Sequence, residues 1–174
     1  MKTIILAIFA ASLALSACAR TPAARPDDFS LRLEWDIGAL PPQYHYSYTI
    51  TISPDLIGEF TYQPGYGPED SGEFWRTEFN LESKDLDALY SMLDEKGMLR
   101  SRWATGQPLM GAQGTSLVIT ASGNEYPVPS VSVLTRSERE KVETVIETIR
   151  GLVPKAIWDE MEARQADFEA GFED

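Results

Sequence analysis

The sequence predicts an α+β domain, a mainly antiparallel sheet of about six strands with two to three helices packed on one face. Three observations carry that reading. Apolar and polar side chains alternate over several short segments between residues 31 and 129, the period of a strand with one face buried. From residues 83 and 135 onward the period lengthens, and apolar residues recur at i, i+3, i+4 and i+7, the spacing of a helix buried along one stripe. Strands in a run, then a helix, then strands, then helices lack the strict alternation of a parallel sheet, so the two kinds of element separate into layers.

The elements follow in chain order. Leu31, Leu33, Trp35 and Ile37 alternate with Arg32, Glu34 and Asp36 to make a first strand. After Pro41 and Pro42, "YHYSYTITIS" sets Tyr44, Tyr46, Tyr48, Ile50 and Ile52 on one face. His45, Ser47, Thr49 and Thr51 fall on the other, so His45 is expected to be solvated and the tyrosine row to be core. Pro54 and Asp55 signal a turn, "GEFTYQ" resumes as a hairpin partner, and Trp75, Thr77, Phe79 and Leu81 mark a fourth strand. Ser83 is placed to cap a helix bearing Leu86, Leu89, Tyr90 and Leu93, with Gly97 at its end. Residues 98–103 are expected to form a short strand. Residues 115–121 and 125–129, joined by "SGN", read as a hairpin whose second arm Pro127 and Pro129 confine to an edge. Thr135 and Glu138 have capping-box spacing ahead of a helix with Val142, Val145, Ile146 and Ile149, which Gly151 is expected to stop. Pro154 suits the first turn of a third helix carrying Ile157, Trp158, Met161 and Phe168.

Charge narrows the partners. The chain has 174 residues, with 27 Asp and Glu against 15 Lys and Arg, a net charge of −12. Such a surface repels phosphate backbones and anionic headgroups, so nucleic acid is not an expected partner and electrostatic membrane binding is disfavoured. Cys18 is the single cysteine, so no disulfide forms within the chain and the fold rests on its core.

The first residues read as a targeting signal. Lys2 precedes an apolar run over residues 4–15, too short for the roughly 20 residues that a spanning helix needs and the right length for a signal-peptide h-region. Leu15, Ser16, Ala17 and Cys18 follow. This stretch resembles the lipobox of bacterial lipoproteins: Leu, two small residues, then Cys. The resemblance implies that the signal-recognition residues Leu15, Ser16 and Ala17 direct cleavage before Cys18. The Cys18 thiol would then carry a diacylglyceryl thioether and its amine an acyl chain, a covalent lipid rather than a bound cofactor. Two or three such chains anchor a protein stably where one does not. The alternative is an ordinary secretory signal, cut near Ala17 or Ala19, which leaves a free thiol. Ala19 is not the Asp that favours inner-membrane retention in diderm lipoproteins, so the resemblance implies the outer membrane if the host has two.

Three segments are expected: a signal peptide over 1–17, a lipidated N-terminus and tether over 18–29, and one globular domain over 30–170. The tether, "ARTPAARPDDF" after Cys18, is small, Pro-bearing and charged. Beyond the lipobox, the domain resembles no characterised family.

A lone histidine, His45, supports neither a His-cluster metal site nor a His-dependent triad, and no Gly-x-Ser-x-Gly elbow occurs. "GQPLMGAQGTS" begins like a phosphate loop, but Ala112 and Gln113 stand where Lys and Ser or Thr must reach phosphate and metal. Glu69, Asp70 and Glu73 beside Gly72 offer hard oxygen ligands without the spacing of an EF-hand, so neither a catalytic nor a metal set is assigned. Two loops, 63–73 and 104–114, exceed what connectivity needs. The candidate binding residues are Tyr62, Tyr66, Glu69, Asp70 and Trp75 around the first, and Gln107, Met110 and Gln113 in the second. Aromatic rings supply contact area and amides or carboxylates supply orientation, chemistry that suits a partner protein or glycan. Tyr66 packing over the sheet edge as a pin for its loop is the alternative role. The expected function is therefore a non-enzymatic, lipid-anchored envelope lipoprotein. A carboxylate-dependent envelope hydrolase and an inhibitor of a secreted hydrolase stay open as alternatives.

Overall fold

The computed structural model describes residues 24–67, 74–108 and 113–172. Six strands, β1 (Ser30–Asp36), β2 (Tyr46–Ile52), β3 (Ile57–Pro64), β4 (Trp75–Asn80), β5 (Gly114–Ala121) and β6 (Asn124–Val128), form one sheet in the order β4-β3-β2-β1-β5-β6. Every neighbouring pair is antiparallel. Three helices, α1 (Ser83–Glu95), α2 (Arg136–Leu152) and α3 (Lys155–Ala170), complete the α+β architecture.

The alternation in each strand decides which sheet face is buried. Leu31, Leu33 and Trp35 on β1 lie opposite Ile52, Ile50 and Tyr48 on β2, and Leu31 and Leu33 also face Ile119 and Leu117 on β5. All are buried. Arg32, Glu34, Ser116, Arg76 and Glu78, from the alternate positions, stay exposed. The helices cover the apolar face with Leu86, Leu89 and Leu93 of α1 and Val142, Val145 and Ile149 of α2. Burying each such side chain contributes about 1.5–3 kcal/mol, so this layer supplies most of the folding drive.

Several turns are closed by backbone geometry. Gly97, at φ +68°, follows α1 in the left-handed region. Its N–H donates to the Asp94 carbonyl and the Met98 N–H to the Leu93 carbonyl, the paired bonds of a Schellman ending with buried Met98 closing over the last turn. At the β5–β6 hairpin, Ser122 and Gly123 have φ +52° and +73°, the two-residue turn that matches strand twist.

Local details depart from the sequence expectations. Residues 98–103 form no strand. Instead, Arg100 bonds Glu138 and stacks 4.2 Å over the Trp103 ring, and pairing resumes only where Thr105 meets Leu134. That same Arg100 takes the Glu138 carboxylate away from a capping box, and Thr135 makes no side-chain cap bond. Glu82, not Ser83, is the N-cap of α1. Gly151 lies inside α2, which ends with Val153 as its C-cap. Tyr44 belongs to a short 3-10 turn, Pro42–Tyr44, and is exposed. His45, expected in solvent, is 6% exposed. Its Nδ1 lies 2.7 Å from the Gly65 carbonyl oxygen, and its ring stacks on Tyr66 at 3.8 Å. The loop after β3 folds over the outer face that strand alternation alone leaves open.

The chain enters the sheet at a fixed point. Arg25 bonds Asp87 at 2.7 Å, Asp28 accepts from the Ser122 and Gly123 N–H groups at 2.8 and 2.6 Å, and Phe29 is wholly buried against Tyr90. Residues 24–29, within the stretch expected as tether, are thus held against the domain.

Gly97→Ala forces a side chain into the left-handed region with open space around it, so urea unfolding should show a loss of about 1–2 kcal/mol with an unchanged folded-state spectrum. The Gly123 and Ser122 N–H groups hold the Asp28 pKa below its ordinary value. A depressed carboxylate stabilises the fold above its unfolded pKa of about 3.9 and loses that contribution as pH falls through the folded value. Asp28→Asn should therefore be less stable than wild type near neutral pH, with the gap narrowing steadily at acidic pH in paired denaturation curves.

Candidate functional site

The antiparallel registers gather one set of connections at one end of the sheet. β1 finishes there at Asp36, opposite Ser47 and Gly114, while Tyr46 faces Pro64 and Tyr62 faces Trp75. The β1–β2 connection, the β3–β4 loop and the segment leading into β5 therefore emerge together. β3 and β5 are three strand spacings apart, about 14–15 Å. Asp28 and the Ser122–Gly123 turn lie at the opposite end.

An aromatic layer runs across the helix-facing side near this loop end. Trp35 stacks on Tyr48 at 5.0 Å, Tyr48 on Phe60 at 5.6 Å, and Phe60 meets Trp75 edge-on at 5.9 Å. Trp158 of α3 packs edge-on against both Tyr48 and Phe60, at 5.1 and 5.0 Å, which seats the helix. The Arg150 guanidinium lies 5.2 Å from the Trp158 ring and 5.9 Å from Tyr48. The Tyr48 hydroxyl is buried without a hydrogen-bond partner among the described residues. Burial pushes its pKa up despite Arg150, so it stays neutral.

Where α3 crosses the ends of β3 and β4, an open groove of about 520 Å³ is lined by Tyr62, Pro64, Phe74, Trp75, Arg76, Arg164, Asp167 and Phe168. Tyr62 is its floor. That residue is 1% exposed, burial raises its phenol pKa, and the neutral hydroxyl donates to Gln165 Oε1. Gln165 Nε2 donates in turn to the Gln43 carbonyl at 3.0 Å and to Glu169 at 2.9 Å. One buried amide thus ties α3, β3 and the β1–β2 connection together. Arg164 sits 4.9 Å over Trp75 and pairs with Glu160 at 2.9 Å, and Arg76 pairs with Glu59. Phe74 is 60% exposed, and Phe168 packs edge-on against exposed Phe172. Rings with guanidinium groups and one carboxylate supply stacking area and directional hydrogen bonds. A smaller hollow of about 350 Å³ lies between Tyr46, Arg150, Trp158, Met161, Glu147 and Glu162.

Of the residues singled out from the sequence, Tyr62 and Trp75 come together directly across β3 and β4 and share the groove. Tyr66 donates its hydroxyl to the Leu40 carbonyl at 2.6 Å and stacks on His45. It pins its loop to the β1–β2 connection. Gln107 and Gln113 are exposed, and Gln113 directly precedes β5, three strand spacings from β3. Glu69, Asp70, Glu73 and Met110 lie outside the described residues. Among the described residues, no three His, Cys, Asp or Glu side chains converge as a metal site requires. Sequence reasoning missed Phe74, Arg76, Arg164, Asp167 and Gln165, and it read Phe168 only as part of an apolar helix face. The adjacent pair Phe74 and Trp75 at the end of a long loop was the available signal.

No protein-family model matches the chain, and no curated protein matches it.

Removing the groove's buried amide tests how the floor is held. Gln165→Ala strands the Tyr62 hydroxyl and the Gln43 carbonyl, at an expected cost of about 1–3 kcal/mol in denaturant unfolding. The double variant with Tyr62→Phe should recover part of that loss.

Proposed function

We propose that this chain is a non-enzymatic lipoprotein of the bacterial cell envelope, anchored through acyl chains on Cys18 and binding a partner protein or glycan at the loop end of its sheet. The observation that carries this reading is polarity. The N-terminal segment meets the domain beside the Ser122–Gly123 turn, through Asp28, whereas the aromatic groove and the strand ends Pro64, Trp75 and Gly114 that flank the long loops belong to the opposite end. A strand of seven residues separates the two ends by about 20–24 Å. A lipid on Cys18 would hold the first end toward a bilayer and turn the groove outward.

The lipobox residues Leu15, Ser16, Ala17 and Cys18 support the anchor, and Ala19 supports the outer membrane in a diderm host. The groove's chemistry supports binding: Phe74 and Trp75 offer ring faces, while Arg76, Arg164 and Asp167 offer directional donors and acceptors. The surplus of acidic residues leaves attachment to the lipid rather than to surface charge.

Intact mass of the protein recovered from bacterial membranes is the test. The expected species begins at Cys18 and is heavier by a diacylglyceryl group and an acyl chain. Cys18→Ser should abolish both the added mass and the membrane fractionation. An unmodified wild-type chain in the soluble fraction would overturn the anchor. Arg164→Ala combined with Phe74→Ala should lower recovery of envelope partners cross-linked in cells, while leaving lipidation unchanged.

A further inference from the structure

We propose that the free edge of β4 is a self-association surface, on which a second copy of this chain pairs its own β4 antiparallel, with Thr77 opposite Thr77. The hydrogen-bonding alternation of the sheet leads to this edge. The Leu81 N–H donates to the Leu56 carbonyl, the Ser53 N–H to Ile57 and the Gly65 N–H to His45. With the observed registers, these bonds fix the parity: residues 75, 77 and 79 direct their backbone groups at β3. Arg76, Glu78 and Asn80 direct theirs outward. Among the described residues, no element pairs with that edge.

The other edge of the sheet is built differently. In β6 the Ser122–Gly123 turn makes Ala121 and Asn124 the closing bonded pair, so Glu125 and Pro127 face outward. Pro127 has no N–H to give, and an added strand would meet a broken ladder there. β4 contains no proline and keeps all three outward N–H groups.

Charge selects the occupant and the register. Arg76 and Glu78 are exposed, two residues apart on one face, and Glu78 lies directly opposite Glu59. Arg76 bonds Glu59, and among the described residues Glu78 has no ion pair. Pairing about Thr77 sets Arg76 against Glu78 of the second copy, and Glu78 against its Arg76, with Asn80 against Phe74 beyond them. Shifting the centre to residue 76 or 78 opposes Arg with Arg or Glu with Glu, which is unfavourable. The strand is self-complementary in one register, and two sheets joined this way would run continuously through the two-fold axis.

The test is oxidative cross-linking of the full chain bearing Thr77→Cys, with wild type as the control for Cys18. Directly opposed residues of a non-hydrogen-bonded pair stand about 4.5 Å apart at Cα, within disulfide range. A disulfide-linked dimer is expected from Thr77→Cys and not from wild type. Adding E78R should lower its yield by about ten-fold, with circular dichroism confirming that the exposed substitution leaves the fold intact. Exchanging both charges, R76E with E78R, should restore it, because an arginine at 78 then faces Glu59 as well. Absence of the dimer from Thr77→Cys, or a yield that E78R leaves unchanged, overturns the proposal.

Discussion

Leu33 on β1 lies between Ile50 on β2 and Leu117 on β5, and all three are almost wholly buried. A slip of one residue in either pairing would turn an apolar row to solvent and bring Arg32 and Glu34 beneath the helices. Each misplaced charge would cost several kcal/mol without a partner, which is why side-chain alternation sets register so firmly. Everything on the helix-facing side inherits that register. The aromatic layer exists because Trp35, Tyr48, Phe60 and Trp75 come from four adjacent strands held in fixed phase. The seat of α3 exists because Trp158 packs edge-on against Tyr48 and Phe60 of that layer.

This dependence explains what could be read in advance. The strands were legible because the exposed face is polar, so Leu31, Leu33 and Trp35 stand out against Arg32 and Glu34. The stripes of α1 and α2 were legible for the same reason. Gly97 and the "SGN" turn were legible because each needs a backbone conformation that few residues adopt. Edge confinement of β6 could be read from Pro127 directly. His45 was misread because alternation describes a strand and its neighbours in the sheet, not a loop that folds back over the outer face. The capping box failed because Arg100, remote in sequence, competes for Glu138.

The groove was legible only in fragments. Tyr62 and Trp75 could be suspected as aromatics flanking a long loop, yet their partners sit on α3, nearly 90 residues or more away in sequence. Gln165 lies among charged residues in "MEARQADFEA" and carries no pattern that marks it as buried. Its role depends on meeting the Tyr62 hydroxyl and the Gln43 carbonyl together. α3 buries the fewest side chains of the three helices, with only Met161 and Gln165 fully covered. A helix seated by Trp158, Met161 and one amide leaves other side chains, Arg164 and Phe168 among them, along the wall of the groove.

The entry of the chain into β1 has a mechanical consequence. β1 is an interior strand, bonded along its length to β2 on one side and β5 on the other. A pull on the N-terminal segment acts lengthwise on that strand, so both ladders are loaded in shear and their bonds must yield together. The Asp28 contacts with the β5–β6 turn spread the first part of the load to a second hairpin. A pull on the C-terminal end would instead peel α3 from its seat one contact at a time. The domain is thus built to resist traction from its N-terminal side and to yield from the other.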